Sequence, residues 1–283
     1  MSASRPEHIA PPEIFYNETE AGKYTDNSRI TAIQYDMTQR ALELMCLPEE
    51  PQLLLDIGCG SGLSGECLDE QGHHWVGMDV SPAMLAVAND RDVEGDLFLQ
   101  DIGQGVGYRP GSFDGAISIS VIQWLCNADK SHHVPKKRLL RFFSTLYTAL
   151  ARGARAVFQF YPEGPQQVEM IMAAAMRAGF TGGLVVDYPN SSKAKKYFLC
   201  LFAGYAGNQR AAPELPKGLD GDGPQSVEYA GKRQREDRKR KGKLVSAKGK
   251  DWVLHKKELN RMRGKAHVPV DTKYTARKRK IRF

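Results

Sequence analysis

No stretch of these 283 residues approaches the ~18 consecutive apolar residues that a membrane span requires. The opening MSASRPEHIAPPEIF lacks the charged-then-apolar pattern of a secretory signal. Cysteine is sparse: Cys46, Cys59, Cys67, Cys126 and Cys200 are scattered, odd in number and without a CxxC pair. Such spacing builds neither a disulfide framework nor a zinc site, and it fits a reducing compartment. Acidic residues run short at one end. Residues 231–283 hold 5 Asp+Glu against 21 Lys+Arg, a balance of +16, whereas residues 1–230 hold 28 against 19. The net charge of +7 thus conceals a mildly acidic body carrying a basic tail, which suggests a polyanionic partner. With 41% hydrophobic residues, the length suits one α/β domain plus extensions.

What is present is concentrated in LLLDIGCGSGLSG (residues 53–65) and in the run WVGMDVS that follows about twenty residues later. A buried strand over 53–57 enters a turn with Gly58, Gly60 and Gly62, and a helix starts near Leu63. Glycine permits φ > 0 and a close approach to a ligand. The second strand ends at Asp79, placed to accept hydrogen bonds from two ribose hydroxyls. Dinucleotide sites favour G-x-G-x-x-G and set a pyrophosphate against the helix N-terminus. Here the pattern is D-x-G-x-G-x-G, and Asp56 at the loop entrance would repel a pyrophosphate while suiting an ammonium and a sulfonium. NAD is the alternative that this carboxylate disfavours; S-adenosylmethionine is the ligand it favours, and the run resembles motif I of class I methyltransferases.

Strands and helices alternate from there. The pattern predicts a helix over 63–71, a strand over 74–79, and a helix after Ser81 (N-cap) and Pro82. Strands are expected over 94–100, 112–120 and 154–161, with helices over 135–151 and 166–178. The runs 182–189 and 196–204, joined by a short polar turn, must pair antiparallel. Five βα units closed by such a hairpin describe an α/β, Rossmann-like class I methyltransferase sheet of order 3-2-1-4-5-7-6. Its ligand belongs at the switch point between the first and fourth strands. Asp56, Gly58, Cys59, Gly60, Gly62, Asp79, Val80, Asp101, Ile102 and Ser118 are the cofactor-site candidates. The expected organisation is an N-terminal segment over the cofactor site (1–48), the methyltransferase domain (49–204), a Gly/Pro-rich linker (205–230) and the basic tail (231–283). Within the tail, Trp252, His255, Leu259 and Met262 fall at helical spacing.

Methyl transfer from a sulfonium is an in-line displacement, so positioning dominates. The segment ISISVIQWLCNAD (117–129) sits where this fold binds its acceptor and has no [DN]-P-P-[YFW], the pattern of exocyclic amino methylases. No cysteine pair of the kind that attacks C5 of a pyrimidine accompanies Cys126, which reads as structural. The segment offers Gln123 and Trp124; the indole either stacks on a base, worth ~1–3 kcal/mol, or packs in the turn. An acceptor needing no deprotonation, such as N7 of guanine, fits this inventory. Tyr16 and Tyr24 are candidates to cover the methionine moiety, with packing as the other reading. His73–His74 and His132–His133 read as structural rather than metal-binding.

Taken together, APPEIFYN (10–17), LDIGCGSGLSGE (55–66), DVSPAML (79–85), GSFDGAISIS (111–120), IQWLCNAD (122–129), AGFTGGLVVDYPNSSKAKKY (178–197) and YTARKRKIRF (274–283) resemble the eukaryotic 18S ribosomal RNA (guanine-N7) methyltransferase family. IQWLCNAD and the terminal RKRK-x-RF carry the most specific part of the likeness. The resemblance implies a nuclear enzyme (nucleolus or nucleoplasm, with a cytoplasmic phase) acting on 18S rRNA in small-subunit precursors. It also implies an obligate small zinc-binding activator subunit. The third strand is the expected sheet edge, and EGDLFLQ (94–100) places Leu97 and Leu99 on one face and Phe98 on the other without a protecting Lys or Pro. The activator is expected to cover that edge by adding a strand. A small-molecule methyltransferase is the alternative, though it leaves the basic tail unexplained.

Overall fold

The computed structural model describes residues 5–191, 193–204, 213–219, 250–262, 268–273 and 275. The basic runs 232–243 and 277–283 lie outside the described residues. Seven strands form one sheet: β1 (Leu53–Ile57), β2 (His74–Asp79), β3 (Asp96–Leu99), β4 (Phe113–Ile119), β5 (Leu150–Phe160), β6 (Thr181–Asp187) and β7 (Lys196–Phe202). Their order is β3-β2-β1-β4-β5-β7-β6. The first five neighbours pair in parallel, and β7 runs antiparallel between β5 and β6. This is the expected class I methyltransferase sheet.

Side-chain alternation sorts each strand between two layers. Leu55, Ala116, Phe158, Leu199 and Leu201 face one cluster. It is completed by Leu139, Phe142, Phe143 and Leu146 of α6 (Pro135–Ala149) and by Ile171 and Ala175 of α7 (Pro165–Arg177). Their neighbours Leu54, Ile117, Val157, Phe198 and Cys200 face the other cluster, against α3 (Ser28–Met45) and α4 (Leu63–Glu70). The remaining helices are α1 (Pro12–Phe15), α2 (Glu18–Asp26) and α5 (Pro82–Asp90) in the body, and α8 (Lys250–Met262) in the tail. In that second unit, Lys257 and Arg261 pair with Asp271 at 3.0 and 2.6 Å.

Four local differences from the sequence expectation have plain causes. The 1–48 segment contributes a full core helix as well as a cover, because Met37, Ala41, Leu44 and Met45 of α3 are buried against the sheet. Asn27 caps it by accepting from the Arg29 and Ile30 amides. β5 starts at Leu150 rather than 154, with Gly153 at φ 92 and a register shift in its pairing with β4. β3 spans four residues, shorter than 94–100, as an edge strand with one neighbour. Within 205–230, residues 213–219 pack on the sheet edge. The Leu219 amide donates to Asp187 Oδ1 (2.8 Å), and Arg40 donates to the Lys217 carbonyl (3.0 Å).

Trp75 of β2 occupies a slot lined by glycines. A Cβ on Gly65, Gly95 or Gly77 would lie 2.1, 2.3 or 2.7 Å from the indole, whose Nε1 donates to Asp69 (3.1 Å). In an open helix, Gly→Ala gains up to ~1 kcal/mol. At Gly65 the clash decides the sign: Gly65→Ala is expected to destabilise by about 1–3 kcal/mol, read as a lower urea midpoint.

Candidate active site

β1 delivers the chain into a turn in which Gly58, Gly60 and Gly62 stand at φ 74, 54 and 81, backbone that L side chains rarely adopt. The Gly58 and Cys59 amides donate to the Met78 carbonyl at 2.7 and 3.1 Å. Asp79 then holds the turn from the end of β2. Its Oδ2 accepts from the Gly60 amide (2.9 Å) and its Oδ1 from the Ser81 amide (2.8 Å). A carboxylate has about four acceptor positions, so this one retains capacity for a ribose hydroxyl. Burial pushes the Asp79 carboxyl upward, while the Ser81, Gly60 and Val80 amides pull it back.

The glycines answer to neighbours in the protein as well as to a ligand. A Cβ on Gly58 would come 2.2 Å from Val121 Cγ2, across the gap between β1 and β4. One on Gly60 would meet Met84 Cε at 2.9 Å, and one on Gly62 would meet Val93 Cγ1 at 2.6 Å. The glycine pattern therefore records the packing of three separate segments against the turn.

Gly58, Cys59, Gly60, Asp79, Val80, Asp101, Ile102 and Trp124 line one cavity at the carboxyl ends of β1, β2 and β4. Asp56, Gly62, Ser118 and Gln123 are not on its wall. Alternation along β1 turns Asp56 away beneath α4, where it is fully buried and accepts from the Ser64 hydroxyl at 2.5 Å. Burial, against the Ser64 hydrogen bond, pushes its carboxyl up to about 7. Its Oδ2 ties the first turn of α4 to β1, while its Oδ1 is buried without a hydrogen-bond partner among the described residues, behind the cavity-lining Ser64. Ser118 donates to the Ile57 carbonyl (2.8 Å) and joins β1 to β4 at the switch point. Gln123 is buried and donates to the Ser120 carbonyl (2.8 Å), shaping the turn after β4.

Part of the cavity wall is aromatic. Trp124, 7% exposed, lies with its ring centre 6.0 Å from Tyr16 and 6.3 Å from Phe15. The indole is packed against these rings and also forms part of the cavity wall. Tyr16 meets Tyr24 edge-on at 5.8 Å, and its carbonyl accepts from Ser81 (2.7 Å), which fastens the N-terminal segment to the turn after Asp79. Burial, helped by nearby Asp79, pushes the Tyr16 phenol up to about 12, and burial raises Tyr24 further. Both stay neutral, and neutral rings tolerate a sulfonium beside their faces.

Left-handed glycines, an anchored aspartate with spare acceptor capacity and a neutral aromatic cover are a chemically fitting cradle for S-adenosylmethionine. The match to known proteins agrees. A family model described as "Methyltransferase domain" matches residues 55–158, and one described as "Methyltransferase involved in Williams-Beuren syndrome" matches 201–281. The 18S rRNA (guanine-N(7))-methyltransferase of Mus musculus is 58% identical over 99% of this chain and 98% of its own length. The Saccharomyces cerevisiae 18S rRNA (guanine(1575)-N(7))-methyltransferase is 52% identical over 99% and 100%. The chain belongs to the 18S rRNA (guanine-N7)-methyltransferase family. Among solved structures, a Haemonchus contortus phosphoethanolamine N-methyltransferase 2 in complex with S-adenosyl-L-methionine shares the fold. Its TM-score is 0.52 at 18% identity, covering 71% of this chain and 60% of that one.

This methyltransferase has site residues that local sequence patterns did not expose. Arg138 of α6 donates to Asp101 Oδ1 at 2.6 Å, and the same oxygen accepts from the Gly103 amide (2.9 Å). Arg138 also bonds His133 Nδ1 at 3.1 Å. Because a guanidinium only donates, Nδ1 must be the acceptor, and burial and Arg138 lower the imidazole's pKa. His133 is therefore a neutral bracket for Arg138. Asp101 and Arg138 are 37 residues apart; no spacing rule links them.

Proposed function

We propose that this chain transfers a methyl group from S-adenosylmethionine to N7 of a guanine in 18S rRNA during small-subunit biogenesis. The observation that carries this reading is collinearity with enzymes of that activity over 99% of the chain, cofactor cradle and basic tail included. S-adenosylmethionine supplies an electrophilic methyl carbon on a sulfonium. The N7 lone pair bonds to that carbon as the carbon–sulfur bond breaks, so positive charge passes to the purine and no proton has to leave. What the protein must do is hold the two partners in line and exclude water. Asp79, the glycine turn and the neutral cover of Tyr16 hold the cofactor, and Trp124 and Pro12 of the same cavity are offered to the acceptor. Mass mapping of 18S rRNA from cells lacking the protein should show one 7-methylguanine missing, restored by the unsubstituted chain and not by Asp79→Lys. Retention of every 7-methylguanine would overturn the assignment. If precursor processing is also restored by Asp79→Lys, an assembly role separate from catalysis stands beside it.

The basic tail supplies RNA affinity and nuclear import in this proposal. Lys and Arg release counterions from RNA, at roughly 0.7 units of log–log salt slope per phosphate contact for a single strand. Deleting residues 231–283 should flatten the salt dependence of RNA binding and leave cofactor affinity intact. An unchanged slope would place the RNA contacts on the body. A tagged chain lacking the tail should likewise lose its nuclear accumulation.

A small zinc-binding activator is the proposed partner, adding a strand along β3. Phe98 and Leu99 support that choice, at 48% and 61% exposure on an edge strand. Leu97 instead packs into the core cluster, so Phe98 and Leu99 are the apolar pair offered to a partner.

A further inference from the structure

A methyltransferase of this kind must distinguish guanine from adenine, and N7 does not do it, because both purines carry that lone pair. The two differ across the six-membered ring. Guanine presents two donors there, N1–H and the N2 amino group, where adenine presents an acceptor and a C–H. A carboxylate facing that edge accepts from both guanine donors and meets only a lone pair on adenine. Bases taken out of a stack are commonly read on this edge.

Besides Asp79 and Asp101, two carboxylates line the cavity, Glu13 of α1 and Asp129 after the β4 turn. Glu13 is engaged with Lys130 Nζ at 3.3 Å. Asp129 makes no hydrogen bond or ion pair among the described residues, and the nearby Arg138 is committed to Asp101 and His133. Asp129 is half-buried, with its carboxyl raised mainly by desolvation. A half-exposed acceptor on the cavity wall, with no hydrogen bond or ion pair of its own among the described residues, is free to take donors from a ligand.

The geometry points to Asp129 as the residue that selects guanine, its carboxylate accepting from N1–H and the N2 amino group while N7 faces the cofactor. The assignment rests on the guanine reading above. It also predicts a catalytic contribution. Charge gained by the purine as the N7–carbon bond forms makes N1–H a stronger donor, so its bond to a carboxylate tightens in the transition state. A site built around a donor pair rejects an analogue lacking one by leaving a buried acceptor unmet.

The test uses the full chain, with any co-purifying subunit, on two 18S rRNA transcripts. One carries guanine at the mapped target; the other carries inosine, which keeps N7, O6 and N1–H but lacks the amino group. The unsubstituted chain should favour guanine at least tenfold in kcat/KM. Asp129→Ala should lose tenfold or more beyond its loss on inosine, which keeps only the N1–H bond to the carboxylate, bringing the guanine-to-inosine ratio close to one. S-adenosylhomocysteine affinity, measured by calorimetry, should be unchanged in Asp129→Ala, which excludes a collapsed site. An unchanged guanine-to-inosine ratio in Asp129→Ala would overturn the assignment. So would a ratio that collapses in Glu13→Gln instead. Failure of the unsubstituted chain to methylate the guanine transcript would overturn the functional reading itself.

Discussion

Asp79→Lys is expected to lose more than ~2 kcal/mol of S-adenosylmethionine affinity, over ~25-fold in Kd, because hydrogen bonds to a charged group are worth roughly 1.5–3 kcal/mol each. The substitution removes the proposed ribose acceptor and also both bonds to the Gly60 and Ser81 amides, so the turn itself loses its anchor. Gly58→Glu should match it by another route: its Cβ would sit 2.2 Å from Val121 Cγ2, at a φ of 74 that disfavours any side chain. Val121 also lines the cavity, so relief of that clash moves the wall. Calorimetric titration decides this, with circular dichroism to confirm that both variants fold. Near-normal affinity in either would remove that position from the site. Asp79→Asn, which keeps the shape and loses the charge, should fall between.

Phe98→Lys combined with Leu99→Lys is expected to abolish binding of the proposed activator along β3 while leaving the fold intact. Both side chains are largely exposed, and fully burying one of either type is worth about 1.5–3 kcal/mol. Counting the half that remains exposed gives a combined loss of ~2–3 kcal/mol before the cost of burying charge, which is a thirtyfold weakening or more. The readout is co-purification from cells expressing both subunits. The same pair of lysines should reduce aggregation of the chain alone, since charged edges resist strand pairing. Undiminished recovery of the activator would place the interface elsewhere on the chain.

Features set by neighbours in the chain were legible; features set by distant packing were not. β2 runs over His74–Asp79 as the sequence proposes, because an apolar run between a glycine turn and a capped helix leaves little freedom. Gly58, Gly60 and Asp79 announce the cradle because the motif is compact in sequence. α3 went unread although Met37, Ala41, Leu44 and Met45 have helical spacing, because polar residues interleave them and no glycine or proline marks its start. The turn away of Asp56 follows from strand alternation, and it becomes decidable only once Leu55 and Leu54 are assigned to faces. Arg138 and Asp129 depend on where α6 and the β4 turn come to rest. The reason for Gly58 lies in Val121, 63 positions later in the chain.

The bonds around Asp187 decide where this enzyme can be cut. Its carboxylate is 3% exposed. It accepts from Arg40 Nε at 2.9 Å and from the Leu219 amide at 2.8 Å, while the Tyr188 amide donates to the Leu219 carbonyl at 2.6 Å. A chain ended at residue 204, just after β7, would uncover that carboxylate and leave the Tyr188 amide without its acceptor. One ended a few residues beyond 219 keeps the clasp closed and discards the basic stretch alone. Experiments that compare the body with the whole enzyme need the second boundary, since the first changes the sheet edge and the tail at once.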